Sequence, residues 1–407
     1  MSITESVDVP DPVRTGSGRR MSARPLTVAG NDLVLFTESG PVLESINEDL
    51  KSATDRIWLE SYIFADDKAG KAIAETLKEQ AQAGLDVRVI YDAVGCIDTS
   101  QEFFDDMQAA GVQVHAFHTF REALARFSLF RVFNRRDHRK LIIVDDRICY
   151  FGGMNIVDQS ELTTVAEAKA SHLPPSAGWR DLHVRLTGPM QAEAAEAFER
   201  LWKKVKKLKG KPRTPWPIGQ MLSRPPETIH FFDCQPKFRS RRAALVFCPL
   251  IRQARQNITL SMAYFIPVGS VLRELIRARR RGVTIRVILP GESDVKLVQR
   301  ATQYFYDKLL AHGFRIYERN DYMLHSKAMV IDDEWSVIGS CNLDPRSLRL
   351  NLEFVAVMRS LPLALAVKQV CAYEMRNSRR VTAHHHGKRS WLDRVLDRCA
   401  WAFRRWL

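Results

Sequence analysis

Two stretches of this chain run through the same order of apolar and polar patterns. In the first, residues 56–64 (RIWLESYIF) read as a strand, residues 69–83 as a helix closed by Gly84, and residues 87–91 (VRVIY) as a short apolar strand. In the second, residues 258–266 read as a strand, 269–281 as a helix closed by Gly282, and 284–289 (TIRVIL) as a strand. A glycine just past each helix suits a left-handed C-cap. Strand, helix, strand in that order predicts a right-handed crossover in a largely parallel sheet.

Further along, the likeness becomes an alignment without a gap, residues 138–155 onto 325–342. His138, Lys140, Asp145, Asp146, Gly152 and Asn155 fall on His325, Lys327, Asp332, Asp333, Gly339 and Asn342. Each copy reads as a strand (141–144; 328–331), a tight acidic turn and a second strand (148–151; 335–338). Two copies on one chain predict two similar lobes about a pseudo-twofold axis.

Each copy carries H-x-K-x-x-x-x-D. Alone, such a pattern reads as a salt bridge at a strand entry; two in repeat register, each followed by G-[GS]-x-N, do not. His and Lys at i and i+2 point to one face of a strand. Facing lobes then gather two His, two Lys and two Asn around one small volume. That set suits a phosphodiester: Lys140, Lys327, Asn155 and Asn342 hold the phosphate, and two imidazoles lie in line across phosphorus. One of His138 and His325 attacks while the other protonates the leaving oxygen. The pattern also puts Asp145 and Asp332 in the catalytic set, although their place after the strands fits bracing a turn or a lobe contact. This chemistry requires no metal and no other cofactor, so none is expected.

With these motifs the chain resembles the phospholipase D superfamily, whose hallmark is a duplicated HKD motif. It is similar within that superfamily to bacterial cardiolipin synthases, in particular the B type, which lacks N-terminal membrane spans. The matching forms are Asp137-His-Arg-Lys140, Phe151-Gly-Gly-Met-Asn155, Trp179-Arg-Asp181, Gly339-Ser-Cys-Asn-Leu-Asp-Pro-Arg-Ser347 and Asn351-Leu-Glu353, within a likeness spanning about residues 35–380. The resemblance implies an α/β phospholipase D fold of two similar α/β/α lobes with the active site between them. It implies a covalent phosphatidyl-histidine, with His138 as nucleophile and His325 as acid/base, and cardiolipin formed from phosphatidylglycerol. It also implies a carboxylate orienting each histidine, Asp181 from the first lobe and Glu353 from the second. A phospholipase D using water as acceptor and a nuclease with the same chemistry are the alternatives.

Charge narrows the partner. Lys and Arg outnumber Asp and Glu 61 to 47, a formal net charge of +14, which favours anionic lipid, nucleic acid or phosphate-bearing substrates. The seven cysteines form no CxxC pair, which fits reduced thiols in a cytoplasmic setting. No stretch approaches the roughly 18–20 apolar residues of a membrane span, and residues 1–30 contain no apolar signal-peptide core. The expected layout is a disordered segment (1–30), a first lobe (31–202), a basic linker (203–240), a second lobe (241–380) and a C-terminal basic amphipathic helix (381–407).

Two segments point to lipid. Residues 127–136 (FSLFRVFNRR) interleave phenylalanine with arginine, which suits a membrane interface, base stacking or a cap on the core. At the C-terminus Trp391, Leu392, Val395, Leu396, Cys399, Phe403 and Trp406 recur at helical spacing behind a Ser390 cap, with Arg394, Arg398, Arg404 and Arg405 beside them. That is the pattern of an in-plane membrane helix, a helix docked on its own domain being the alternative. The expected partners are anionic phospholipids and a membrane surface, with no specific nucleic acid. The expected place is peripheral, on the cytoplasmic face of the bacterial inner membrane. His183, which alternation puts on the Asp181 face, is a candidate neighbour of the site. His115, His118, His172, His230 and His312 read as surface or packing residues, and His384–His386 as a loop.

Overall fold

The computed structural model describes residues 25–118, 134–158, 179–206, 227–235, 242–267 and 269–403, with Leu208 and Leu222. Residues 127–133 of the aromatic and arginine segment, most of the Lys- and Pro-rich stretch after 206, His172 and the last four residues lie outside these.

Each lobe is built on an eight-stranded sheet. The first has the order β1-β2-β8-β7-β6-β3-β4-β5, from β1 (Leu26–Val28), β2 (Asn31–Glu38), β3 (Arg56–Ser61), β4 (Asp86–Asp92), β5 (Gln113–Phe117), β6 (Leu141–Val144), β7 (Ile148–Gly152) and β8 (Arg180–Thr187). The second has the order β16-β12-β11-β10-β13-β14-β15-β9. Its strands are β9 (Thr228–Cys234), β10 (Asn257–Met262), β11 (Thr284–Pro290), β12 (Arg315–Arg319), β13 (Lys327–Ile331), β14 (Trp335–Gly339), β15 (Glu353–Arg359) and β16 (Arg379–Val381). Strands β3 to β8 map in order onto β10 to β15, which is the expected pseudo-symmetry.

The helices are α1 (Ser39–Lys51), α2 (Lys68–Gln82), α3 (Gln101–Ala109), α4 (Gln191–Val205), α5 (Arg242–Gln253), α6 (Gly269–Arg280), α7 (Lys296–Gln303), α8 (Leu361–Arg376) and α9 (Trp391–Ala402), with shorter turns between. Helices α2 and α6 supply the crossovers read from sequence, and Gly84 and Gly282 follow them at φ +94° and +97°.

Three expectations change. The sheets are mixed: β3, β4 and β5 run parallel, but β6, β7 and β8 are antiparallel. The cause is the acidic turn between β6 and β7, too short for anything but a hairpin. The basic linker ends early, because Thr228–Cys234 forms β9 and pairs along all of β15. Strand β1 likewise lies within the segment expected to be disordered.

The core has three layers. Ile57, Leu59, Leu77 and Val89 pack α1 to α3 on the outer face of the first sheet. Leu260, Val287, Leu275 and Phe247 do the same in the second lobe. Between the lobes, Phe151, Phe198 and Leu141 of the first meet Val330, Phe354 and Met358 of the second in one continuous cluster. Each such side chain contributes about 1.5–3 kcal/mol by leaving water, so separating the lobes is costly. An ionic knot reinforces the seam. Arg139, fully buried, reaches Glu60 (2.5 Å), Asp137 (3.2 Å) and, on β9, Asp233 (3.3 Å).

Candidate active site

The lobes trade backbone at the site. Before His138, Arg136 accepts a hydrogen bond from the Leu352 N–H (2.8 Å), and Leu352 accepts one from the His138 N–H (3.0 Å). The same exchange occurs before His325, where Arg180 N–H donates to Met323 (2.9 Å) and His325 N–H donates to Arg180 (2.6 Å). Each histidine segment therefore runs beside the strand that carries the other lobe's carboxylate.

The orienting pairs are consequently crossed. His138 Nδ1 lies 3.1 Å from Glu353 and 3.0 Å from the Ser340 carbonyl. His325 Nδ1 lies 2.7 Å from Asp181. A carbonyl can only accept, so His138 carries its proton on Nδ1 and Nε2 keeps a lone pair. The sequence assigned one carboxylate per lobe; the register between lobes, which no local spacing encodes, decides which ring each meets.

The repeat also diverges at these pairs. At Gly153 a Cβ would come 2.1 Å from an Asp181 oxygen, so glycine is what admits the shorter carboxylate. The equivalent position is Ser340, whose hydroxyl donates to Glu353.

Lys140 donates to the His138 carbonyl (2.9 Å), and Lys327 lies 3.4 Å from Asp181 and 2.7 Å from His325 Nδ1. Asn155 Oδ1 accepts from the Ile63 N–H (3.2 Å) and Asn342 Oδ1 from the Tyr264 N–H (3.3 Å), which turns each NH₂ the other way as a donor. All six of these side chains converge at the junction.

Asp145 and Asp332 do not. Asp145 accepts from the backbone N–H groups of Thr54, Asp55 and Arg56, and Asp332 from those of Arg255, Gln256 and Asn257. Both sit at positive φ (51° and 53°) in the hairpin turn, at the far end of the strand from the histidine. They clamp the start of the neighbouring strand, β3 or β10, and make no contact in the site, which corrects their place in the catalytic set.

Electrostatics separates the two histidines. Burial and then the charges of Lys140 and Lys327 push His138 well below its ordinary range. Burial and Lys327 also lower His325, but Asp181 opposes the shift. Despite burial, Lys327 and His325 hold Asp181 below the usual carboxylate range, whereas burial lifts Glu353 to about 8. Both rings are therefore biased towards the neutral form, His138 more strongly, while Asp181 offsets part of the fall at His325. Burial and Lys327 bring Lys140 down to about 7.

Sequence reasoning gave the aromatic walls no role, although Trp179 stood in a matching form. Tyr62 stands edge-on to His138 (5.1 Å between centroids), and Trp179 and Tyr264 flank His325 (5.0 and 6.3 Å). His183 is buried, lowered to about 4 by burial, and accepts from the Met154 N–H (3.3 Å), one layer behind Asp181. His115 packs on Trp202 (4.9 Å), and His384–His386 lie in a short helix, Ala383–Gly387, rather than a loop.

Helix α9 forms behind its expected cap, the Ser390 hydroxyl accepting from the Asp393 N–H, but it begins at Trp391 rather than at 381, because β16 and the short helix Ala383–Gly387 take up the residues before it. It docks and stays apolar outward at once. Asp393 and Asp397 pair with Arg300 of α7, Asp397 also with Arg389, and Trp401 stacks on Tyr304 (5.3 Å). Trp391, Leu392, Val395, Leu396 and Phe403 remain exposed, Trp391 at 74%. Among the described residues no helix is long and apolar enough to cross a membrane.

Similarity to known proteins runs along both lobes. Residues 46–170 and 247–373 each match the family described as "Cardiolipin synthase, PLD-like domain", one match per repeat. Cardiolipin synthase A of Pseudomonas putida is 30% identical over 367 residues, covering 88% of this chain and 70% of that protein. A cardiolipin synthase of Halalkalibacterium halodurans is 28% identical over 380 residues, covering 93% and 72%. These names leave the B-type resemblance unspecified. A phosphatidylserine synthase structure from Haemophilus influenzae superposes with a TM-score of 0.66 over 94% of both chains at 14% identity, a likeness of fold. The duplicated motif, the crossed pairs and the family match on each lobe agree, and the chain belongs to the cardiolipin synthase, PLD-like domain family.

Proposed function

We propose that this chain is a phosphatidyltransferase that makes cardiolipin from two molecules of phosphatidylglycerol. The observation that carries the reading is the pair of crossed histidine–carboxylate contacts, which leaves Nε2 of each ring for chemistry at one phosphate. His138 Nε2 attacks phosphorus, the bond to the glycerol oxygen breaks, and His325 gives that oxygen its proton. Glycerol leaves, and the phosphatidyl group is held on His138. A headgroup hydroxyl of a second phosphatidylglycerol then passes its proton to His325 and attacks phosphorus. The P–N bond breaks and both histidines return to their starting forms. Lys140, Lys327 and the amides of Asn155 and Asn342 neutralise and orient the non-bridging oxygens, where charge builds in the transition state.

The proposed setting is the cytoplasmic face of the bacterial inner membrane. The exposed face of α9 is the proposed contact with an anionic bilayer, its apolar residues entering the interface beside Arg394 and Arg398. Incubating the purified chain with phosphatidylglycerol and reading products by mass spectrometry tests the reaction. Cardiolipin with glycerol supports it. Phosphatidic acid alone would make the chain a hydrolase, and cleavage of plasmid DNA with lipid untouched would make it a nuclease.

A further inference from the structure

The two halves of the site are not equivalent at the mouth. On the His138 side, Arg136 and Arg346 act on the Tyr62 hydroxyl. The nearby carboxylate, Asp92, is spent on the backbone N–H groups of Val94, Gly95 and Asp137. On the His325 side stands a carboxylate of another kind. Asp294, exposed in the loop between β11 and α7, accepts from the Tyr264 hydroxyl through both oxygens (2.8 and 2.7 Å) and from the Ser293 hydroxyl (3.1 Å). Among the described residues no basic side chain forms an ion pair with it. Tyr264 is the residue whose ring flanks His325 and whose N–H fixes Asn342.

A carboxylate offers about four acceptor sites and no donor. Asp294 is thus held in place by neutral hydroxyls, with acceptor capacity left towards solvent at the site's edge. An anionic phosphate is repelled there, whereas neighbouring hydroxyl groups of a polyol can each donate to it. The oxygen that leaves phosphorus and the oxygen that replaces it both pass His325, so one subsite on that side serves glycerol as it departs and the next headgroup as it arrives.

We propose that Asp294, positioned by Tyr264, is the polyol subsite of the reaction and selects a multiply hydroxylated acceptor over water and simple alcohols. This rests on the phosphatidyl-transfer reading above. The field of Asp294 also favours the protonated form of His325, which suits a subsite adjoining the acid/base.

The test uses the full chain with phosphatidyl-p-nitrophenol as donor, whose leaving group needs no polyol site. Released nitrophenol gives total turnover, and mass spectrometry gives the partition of phosphatidyl groups among water, glycerol and propan-1-ol. Asp294→Asn is expected to lower the glycerol-to-propanol ratio about tenfold, the loss of roughly one charge-assisted hydrogen bond, while total turnover changes far less. Tyr264→Phe moves the ratio the same way by less, and Asp294→Glu recovers part of it. An unchanged ratio in both Asp294→Asn and Tyr264→Phe, with turnover intact or uniformly reduced, would overturn the subsite and leave Asp294 as a loop brace. Failure of phosphatidylglycerol as donor would instead count against the proposed reaction, because the partition is measured without it.

Discussion

Glu353 meets His138 across the junction of the lobes, 3.1 Å away and 215 residues later in the chain, while Asp181 meets His325 at 2.7 Å. Each imidazole is thus tuned by a carboxylate from the opposite copy of the repeat, and the two carboxylates are unlike in charge. Asp181 is held ionised by its neighbours; Glu353 is pushed by burial towards its neutral form.

His138→Ala and His325→Ala should each lower turnover by about 10³-fold or more, because a nucleophile or a general acid is lost outright. Neither change should lower the thermal midpoint much. Turnover within tenfold of the parent in both variants would remove the assigned chemistry, and so would loss of activity on adding EDTA.

A trapped phosphatidyl group should sit on His138. Acid quenching, digestion and mass spectrometry locate it. Label on His325 would reverse the order of the two histidines, and label on neither would remove the covalent step.

The pH profile carries the asymmetry. His138 must be neutral to attack, and its lowered pKa places the acidic limb below the ordinary histidine value of about 6.5. His325 must be protonated to serve the leaving oxygen; burial and Lys327 lower its pKa below the ordinary value, which puts the basic limb on the acid side too, and Asp181 opposes that fall. Asp181→Asn removes that support, so His325 loses its proton at lower pH and the basic limb moves down. Glu353→Gln should leave the basic limb in place while lowering the rate. A basic limb that does not move in Asp181→Asn would contradict the His325 assignment.

Arg139→Met should destabilise the fold by about 3–5 kcal/mol, since it leaves Glu60 and Asp137 buried without their cation, while Asp233 keeps Arg200. Denaturant unfolding measures this, and a loss under 1 kcal/mol would mean that the ionic knot is dispensable.

Leu392→Glu with Leu396→Glu, both on the exposed face of α9, should weaken binding to phosphatidylglycerol vesicles more than tenfold, with activity on detergent-dispersed lipid retained. Raising salt should release the parent chain only in part, because the apolar contact is not screened. Unaltered vesicle binding in this double variant would move the lipid contact elsewhere, with residues 127–136 the next segment to test.

Local spacing carried much of this molecule. His138 and Lys140 with their copies were legible because period-two geometry at a strand entry brings them to one face, Asn155 and Asn342 because G-[GS]-x-N recurs in repeat register, and the crossovers through α2 and α6 followed from apolar periodicity and a terminal glycine. Other features depend on pairings between distant segments. Strand β9 hides after a Lys- and Pro-rich stretch, and only its ladder with β15 makes it a strand. The match of Glu353 to His138 needs the register of Asp137 against Leu352. Asp294 lies in no motif, and its hydroxyl partner Tyr264 comes from a strand end 30 residues away. Helix α9 was read correctly as amphipathic, but its aspartates had no visible partner until Arg300 was in place.

The two backbone bridges, Asp137 with Leu352 and Arg180 with Leu324, limit how such a molecule can be divided. A single half, alone, has a histidine whose carboxylate left with the other half. Two halves made as separate chains can restore both partners only by meeting, and their success then depends on how concentrated they are. Fusing the copies replaces that encounter with a fixed effective concentration. It also frees each copy to change by itself, because the mate is always present and always the same one. Gly153 beside Asp181, and Ser340 beside Glu353, show such independence: equivalent positions in the two copies that meet their carboxylates in different ways.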